Sequence, residues 1–275
     1  GGRGIKFNAA EEGRVYRRFV DSEKGQALIE TEDWKQAVTL IVEARVSFDS
    51  TKKEYCYHYK LDNEKSHWEV DAFEVVYDSA LPVYQFTAPA EKASHWFFQV
   101  AGSGQDTTRK QEYPGGDWRW AELPPYKWFG GLGYGESVGG FSFKSSVLPG
   151  ITKCWSFIVI PDDDVVLLRG KTIGPVAAPQ EFESLKFVER LNSIVDESLT
   201  EGWIEDEGVA KRFKKRLESA REAVERRDQN RLESVLKDLL KQVEREKDRS
   251  LLSEAYALLK FNVQYWLEQL GEGRK

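Results

Sequence analysis

Methionine is absent from this chain, cysteine occurs twice, and histidine three times. Nowhere do about eighteen apolar residues follow one another, which excludes a helix that crosses a membrane by hydrophobicity alone. The opening GGRGIKFNAAEEGR has neither an initiator methionine nor the apolar stretch of a signal peptide. A mature or trimmed segment, its targeting signal lying outside it, is therefore expected. Positive charge is also scarce: the formal net charge is −6, about −4 before Pro179 and about −2 after it. Nucleic acid is excluded as a partner on that ground, because backbone binding needs a concentrated positive field. The densest basic stretch, KRFKKR at 211–216, is followed closely by acids and reads as a solvated helix face. Cys56 and Cys154 lie far apart, each in a strand-like run. The pair permits one disulfide, the alternative being two buried free thiols.

What is present is a soluble composition, 40% hydrophobic and 31% charged, in 275 residues that suffice for one large or two ordinary domains. Up to about residue 175 the hydrophobic period is two. AVTLIVEARVSF (37–48) is β-rich, and EYCYHYKL (54–61) sets Tyr55, Tyr57, Tyr59 and Leu61 on one face against Cys56, His58 and Lys60 on the other. Further strands are predicted at 71–77, 95–100, 138–145, 152–160 and 164–170. Gly, Pro, Asn and Asp clusters separate them at short spacing, and no long amphipathic helix intervenes. The pattern predicts an antiparallel β-sandwich domain over 1–175. A Gly- and Pro-bearing stretch follows, its PVAAP core forming a short stiff linker over 176–182.

From 183 to 275 the period is 3.6. One stripe carries Phe182, Leu185, Val188, Leu191, Ile194 and Val195. A second helix, over about 207–227, carries Val209, Phe213, Leu217, Ala220 and Val224. Asp228 is placed as the N-cap of a third, and Gly271 as the C-cap of a fourth. Short connections between four helices predict an antiparallel four-helix bundle. The fold class is thus multi-domain, β then α.

Three segments of this half, GWIEDEGVAKRFKKRLESAREAV, RRDQNRLESVLKDLLKQVE and LLSEAYALLKFNVQYWLEQL, together resemble the FIMAH helical module of secreted bacterial proteins. The features that carry the likeness are Gly202-Trp203-Ile204, Leu217-Glu218-Ser219-Ala220 and Tyr265-Trp266-Leu267, over roughly 183–270. The resemblance implies a non-catalytic accessory module in a secreted or surface protein. In the β half, YCYHYKLDN and SVGGFSFKSSVLPG resemble, generically, the strands of secreted and cell-surface β-sandwich modules, and carry no known site.

Candidate catalytic chemistry is sparse. Gly135-Glu136-Ser137-Val138-Gly139 matches the G-x-S-x-G nucleophile elbow, but a Gly-rich loop precedes it and an alternating strand follows. An elbow serine is followed downstream by its acid and then its histidine, whereas His58, His67 and His95 all lie upstream. Metal binding at His58 and His67, beside Cys56, Asp62 and Glu64, lacks the tight ligand spacing of zinc sites. Asp162-Asp163-Asp164 has no EF-hand-like loop around it. No metal and no cofactor are expected. For glycoside hydrolysis, which needs paired carboxylates, Glu112, Asp117, Glu122 and Glu136 lie nearest the aromatic segment, and nothing singles out a pair.

That segment, GGDWRWAELPPYKWFGG (115–131), is the densest aromatic stretch. Trp118 and Trp120 share a face if the segment is a strand. With Tyr126 and Trp128 they are candidate ligand-binding residues, either a stacking platform for sugar rings or part of the sandwich core. The reading is a non-catalytic, extracellular or cell-envelope binding or adhesion protein. Its sandwich would contact a polysaccharide or a surface protein, and its helical module would mediate docking or assembly. A polysaccharide-acting hydrolase, and a self-associating structural subunit of a surface layer or appendage, are the alternatives.

Overall fold

The computed structural model describes residues 5–6, 14–21, 26–33, 40–63, 69–78, 80–87, 89, 96–100, 115–120, 132–160, 164–177 and 182–272. Twelve strands among them form two sheets. They are β1 (Ile5–Lys6), β2 (Arg14–Asp21), β3 (Gln26–Asp33), β4 (Ile41–Asp49), β5 (Glu54–Asp62) and β6 (Glu69–Val76). The chain continues with β7 (Val83–Thr87), β8 (Trp96–Val100), β9 (Gly115–Trp120), β10 (Ser137–Ser145), β11 (Pro149–Ile160) and β12 (Asp164–Pro175). One sheet has the order β1-β4-β5-β10-β7, the other β3-β2-β12-β11-β6-β9-β8, with every pairing antiparallel.

Alternation decides what β5 buries. Tyr55, Tyr57, Tyr59 and Leu61 are buried, while His58 and Lys60 are exposed. The tyrosine rings meet the second sheet: Tyr59 lies 5.6 Å from Phe73, which lies 6.2 Å from Phe141. The hydroxyls that this arrangement buries are satisfied by carbonyls, as burial requires. Tyr59 donates to the Ile173 carbonyl at 2.6 Å and Tyr57 to that of Val147 at 2.8 Å. Burial pushes both phenols well above their ordinary pKa. The β4–β5 hairpin is closed locally by Asp49, whose carboxylate accepts from the amides of Thr51 (2.9 Å) and Lys52 (3.2 Å). Strands β1, β2, β3 and β7 were not read from the sequence. β2 (RVYRRFVD) and β3 (QALIETED) interrupt their apolar residues with charge, which hides the period.

Four helices follow: α1 (Ser184–Thr200), α2 (Glu207–Glu225), α3 (Gln229–Glu246) and α4 (Ser253–Glu272). Each packs on the next and α4 returns to α1, giving an antiparallel up-and-down bundle. The predicted stripes are the buried ones, from Val188, Leu191 and Val195 through Phe213 and Leu217 to Leu236 and Val243, except that Leu185, in the first turn of α1, is 44% exposed. Asp228 caps α3 by accepting from the Arg231 amide at 3.0 Å. Gly271 is not a C-cap: α4 continues through it to Glu272.

The α1–α2 connection explains the Gly-Trp-Ile signature. Gly202 takes φ +74°, a left-handed conformation that reverses the chain after α1. The amides of Trp203 and Ile204 then both reach the Ser198 carbonyl, at 2.8 and 3.0 Å. Trp203 drops into the core fully buried, and its carbonyl accepts from Leu252 in the α3–α4 connection at 2.9 Å. Asp206 restarts the helix by accepting from Gly208 (2.6 Å) and Val209 (3.3 Å).

Bundle and sandwich share one continuous apolar core. Phe182, at the end of the connecting segment, packs 5.2 Å from Phe187 of α1 and 5.9 Å from Tyr265 of α4. Helix α4 lies along β4, with Phe261 5.4 Å from Tyr55 and 6.3 Å from Phe48. Buried Asn262 donates to the Pro149 carbonyl at 2.9 Å and to that of Leu258 at 2.8 Å. Lys171 of β12 pairs with Glu197 of α1 and with Glu201 just after it, at 3.2 and 3.3 Å.

Replacing Gly202 with alanine forces a side chain into the left-handed region, and we expect a loss of about 1–2 kcal/mol of stability. Urea unfolding followed by helical circular dichroism measures it. An unchanged midpoint would mean the turn does not depend on that backbone conformation.

Candidate functional site

The strands β5 and β10 pair with Asp62 opposite Ser137, so the end of one lies beside the start of the other. The sequence fills this junction with Asn63 on one side and Leu132-Gly133-Tyr134-Gly135-Glu136 on the other. Asn63 is fully buried and acts as a clasp. Its amide donates to the Glu136 carbonyl at 2.9 Å, its carbonyl accepts from Gly135 at 2.8 Å, and its side chain donates to the Leu132 carbonyl at 2.8 Å. Leu132, itself buried, exchanges both backbone hydrogen bonds with Val70 at 3.1 Å and so ties the turn to the second sheet. The Glu136 carboxylate accepts from the Gly133 amide at 2.9 Å. Gly135 supplies the left-handed residue, φ +74°.

The product is a turn whose backbone is fixed from both sheets and whose Tyr134 side chain is 61% exposed, the most exposed large apolar group among the described residues. A tyrosine held this way offers stiff, amphipathic contact area at low entropic cost. Stacking on a planar or sugar ring is the chemistry that its exposure makes available there. This residue was not singled out from the sequence. The signal was its setting, one aromatic residue between glycines directly before a strand.

The nucleophile-elbow match falls inside the same turn. Ser137 is the first residue of β10, exposed, and a strand rather than a helix follows it, so the strained strand–turn–helix geometry of an elbow is not formed. Of the residues weighed as carboxylate partners, Glu136 is engaged with its own turn as described. Asp117 lies on β9, and Glu112 and Glu122 lie outside the described residues.

Trp118 and Trp120 lie on β9. Position 118 is in register with Phe73 of β6 and Phe98 of β8, and position 120 with Trp96. Directly paired residues of an antiparallel sheet share a face. Phe73 is fully buried and its ring meets Tyr59 and Phe141 of the opposite sheet. Position 118 is thus the ladder partner of a residue buried between the sheets. Tyr126 and Trp128 lie outside the described residues.

Cys56 and Cys154 stand as free thiols. Alternation is the reason. Cys56 is half-buried on the outer face of β5 with His58 and Lys60, while Cys154 on β11 is fully buried in the space between the sheets. Desolvation raises the Cys56 thiol and lowers His58. His67, Asp162 and Asp163 lie outside the described residues. Among the described residues no three His, Cys, Asp or Glu side chains converge as a metal site. No described helix is long and apolar enough to cross a membrane. The basic run of α2 is threaded with partners: Lys211 to Glu207 at 3.6 Å, Lys214 to Asp196, Arg212 to Glu246 at 3.5 Å, and Arg216 to Gln242 at 2.6 Å.

Free thiols make a chemical prediction. Reductant should leave the melting temperature unchanged, and a thiol reagent should label Cys56 in the native protein but Cys154 only in denaturant. A reductant-sensitive melt would instead show a bridge.

No curated protein matches this chain. Among solved structures, an uncharacterised protein from Nocardia farcinica, described as having an immunoglobulin-like fold, is similar at 13% identity and a TM-score of 0.30. The match covers 52% of this chain and 90% of that one. Residues 188–268, from the first turns of α1 to the last turns of α4, match the family model of the FIMAH domain.

Proposed function

We propose that this chain is a non-catalytic binding module of a secreted or surface-associated protein, and that its sandwich recognises a glycan or protein partner through the clasped turn at Leu132–Glu136. One observation carries the reading: Tyr134 stands 61% exposed on a backbone fixed by buried Asn63. A recognition residue gains most when its backbone is already ordered, because less entropy is lost on binding. The FIMAH match at 188–268 supports a secreted, accessory setting. The bundle serves as a rigid mount, since Phe261, Asn262 and Lys171 tie it to the sheets instead of leaving it to swing.

A pull-down against insoluble polysaccharides tests this, using the intact protein and the Tyr134→Ala variant. We expect retention of the wild type on at least one polymer, and at least tenfold weaker retention of the variant at an unchanged melting temperature. Equal retention of the two proteins would remove Tyr134 from the surface. A second variant, Asn63→Ala, leaves the Leu132 carbonyl without its side-chain donor and should cost about 1–3 kcal/mol of stability. It should also weaken binding, because the turn loses its fixed shape.

A further inference from the structure

The free edge of β4 is closed by a carboxyl group. Among the described residues β1 pairs with β4 at Ile41 and Val42, and none of them gives the Ala44 amide, which points away from β5, a strand partner. Glu254, in the first turn of α4, takes that amide at 2.6 Å through Oε1. Its Oε2 accepts from the Ser253 hydroxyl at 3.1 Å. The carboxyl is sealed where helix meets sheet, 1% exposed. No ion pair to it is formed among the described residues: the nearby charges on surrounding elements are engaged elsewhere. Arg45 of β4 is held by Glu43 at 2.6 Å, Lys260 of α4 by Glu244 of α3 at 2.9 Å, and Lys171 of β12 by Glu197 and Glu201. Lys247 lies over the Tyr256 ring, 5.0 Å from its centroid.

We propose that Glu254 is a proton-operated latch, a buried carboxyl that holds the helical unit on the sandwich more tightly when protonated than when ionised. A neutral acid keeps both hydrogen bonds, because the protonated oxygen can donate to Ser253 while the other still accepts from Ala44. An ionised one keeps them too but leaves an uncompensated charge in an apolar interface. Titration of the group agrees with the geometry. Desolvation raises its pKa to about 7, outweighing the donors from Ala44, its own amide and Ser253, and the negative field of Glu43 adds to the rise.

The direction follows by linkage. An undocked glutamate titrates near about 4.3, so between that value and neutrality the docked form keeps a proton that the undocked form releases. Docking therefore strengthens as pH falls through 7 and is weakest above about pH 8. The full effect on the docking equilibrium is on the order of a hundredfold.

Hydrogen exchange of the whole chain reads this at the Ala44 amide, after correction for the intrinsic pH dependence of exchange. We expect the protection factor to fall by about thirtyfold between pH 5.5 and 8.5 in the wild type, and to stay flat in Glu254→Gln. That variant keeps the acceptor and cannot ionise, and the histidines common to both proteins cancel in the comparison. The same fall in both proteins, or no fall in the wild type, overturns the proposal. If the variant does not fold, a carbon-13 titration of the Glu254 carboxyl in the wild type decides. A midpoint near neutrality supports the latch, and one below about 5.5 overturns it.

Discussion

The contact on which the rest of this molecule depends is the seating of α4 along β4. A sandwich edge exposes amides and carbonyls in a row, and an unprotected row pairs with whatever strand arrives. Here the short β1 covers the first residues of that edge and α4 covers the rest. Phe261 stacks its edge on Tyr55, Asn262 reaches the Pro149 carbonyl, and Glu254 takes the Ala44 amide. Sheet and bundle thus complete each other's cores. A helical module that needs a sheet to cover one of its helices is a mount, and its orientation is fixed by the same residues that stabilise it.

That rigidity gives the opposite end of β5 its meaning. Tyr55, which touches α4, and Asn63, which clasps the Tyr134 turn, stand on or directly after the same strand, eight positions apart in sequence. Between them Tyr57 and Tyr59 anchor β5 to backbone carbonyls of the surrounding structure. The strand that carries the helical unit is also the one that positions the Tyr134 turn, so that turn is rigidly related to the bundle.

The all-β half was legible from alternation where one face is apolar, as in β5 and β10, and illegible where charges interrupt it, as in β2 and β3. The helical half was legible almost throughout, because its apolar stripes recur over long spans and Asp228 marks a start. Gly271 misled because a glycine is also tolerated within the last turn of a helix, and α4 runs on to Glu272. Gly202 shows the contrast: the chain must reverse there, and it takes the left-handed conformation.

Local pattern, then, determined the β-then-α division and, Leu185 apart, the inward faces of the helices, because these rest on neighbours a few residues apart. Only the tertiary structure decided the rest. It placed Cys56 and Cys154 in separate environments, set position 118 in register with Phe73, and buried Glu254 against a strand 210 residues away. It also turned an ordinary Gly-Tyr-Gly into a clasped, exposed tyrosine. Those outcomes depend on sheet register and on which element covers which edge. Register is a relation between distant segments, and no single segment encodes it.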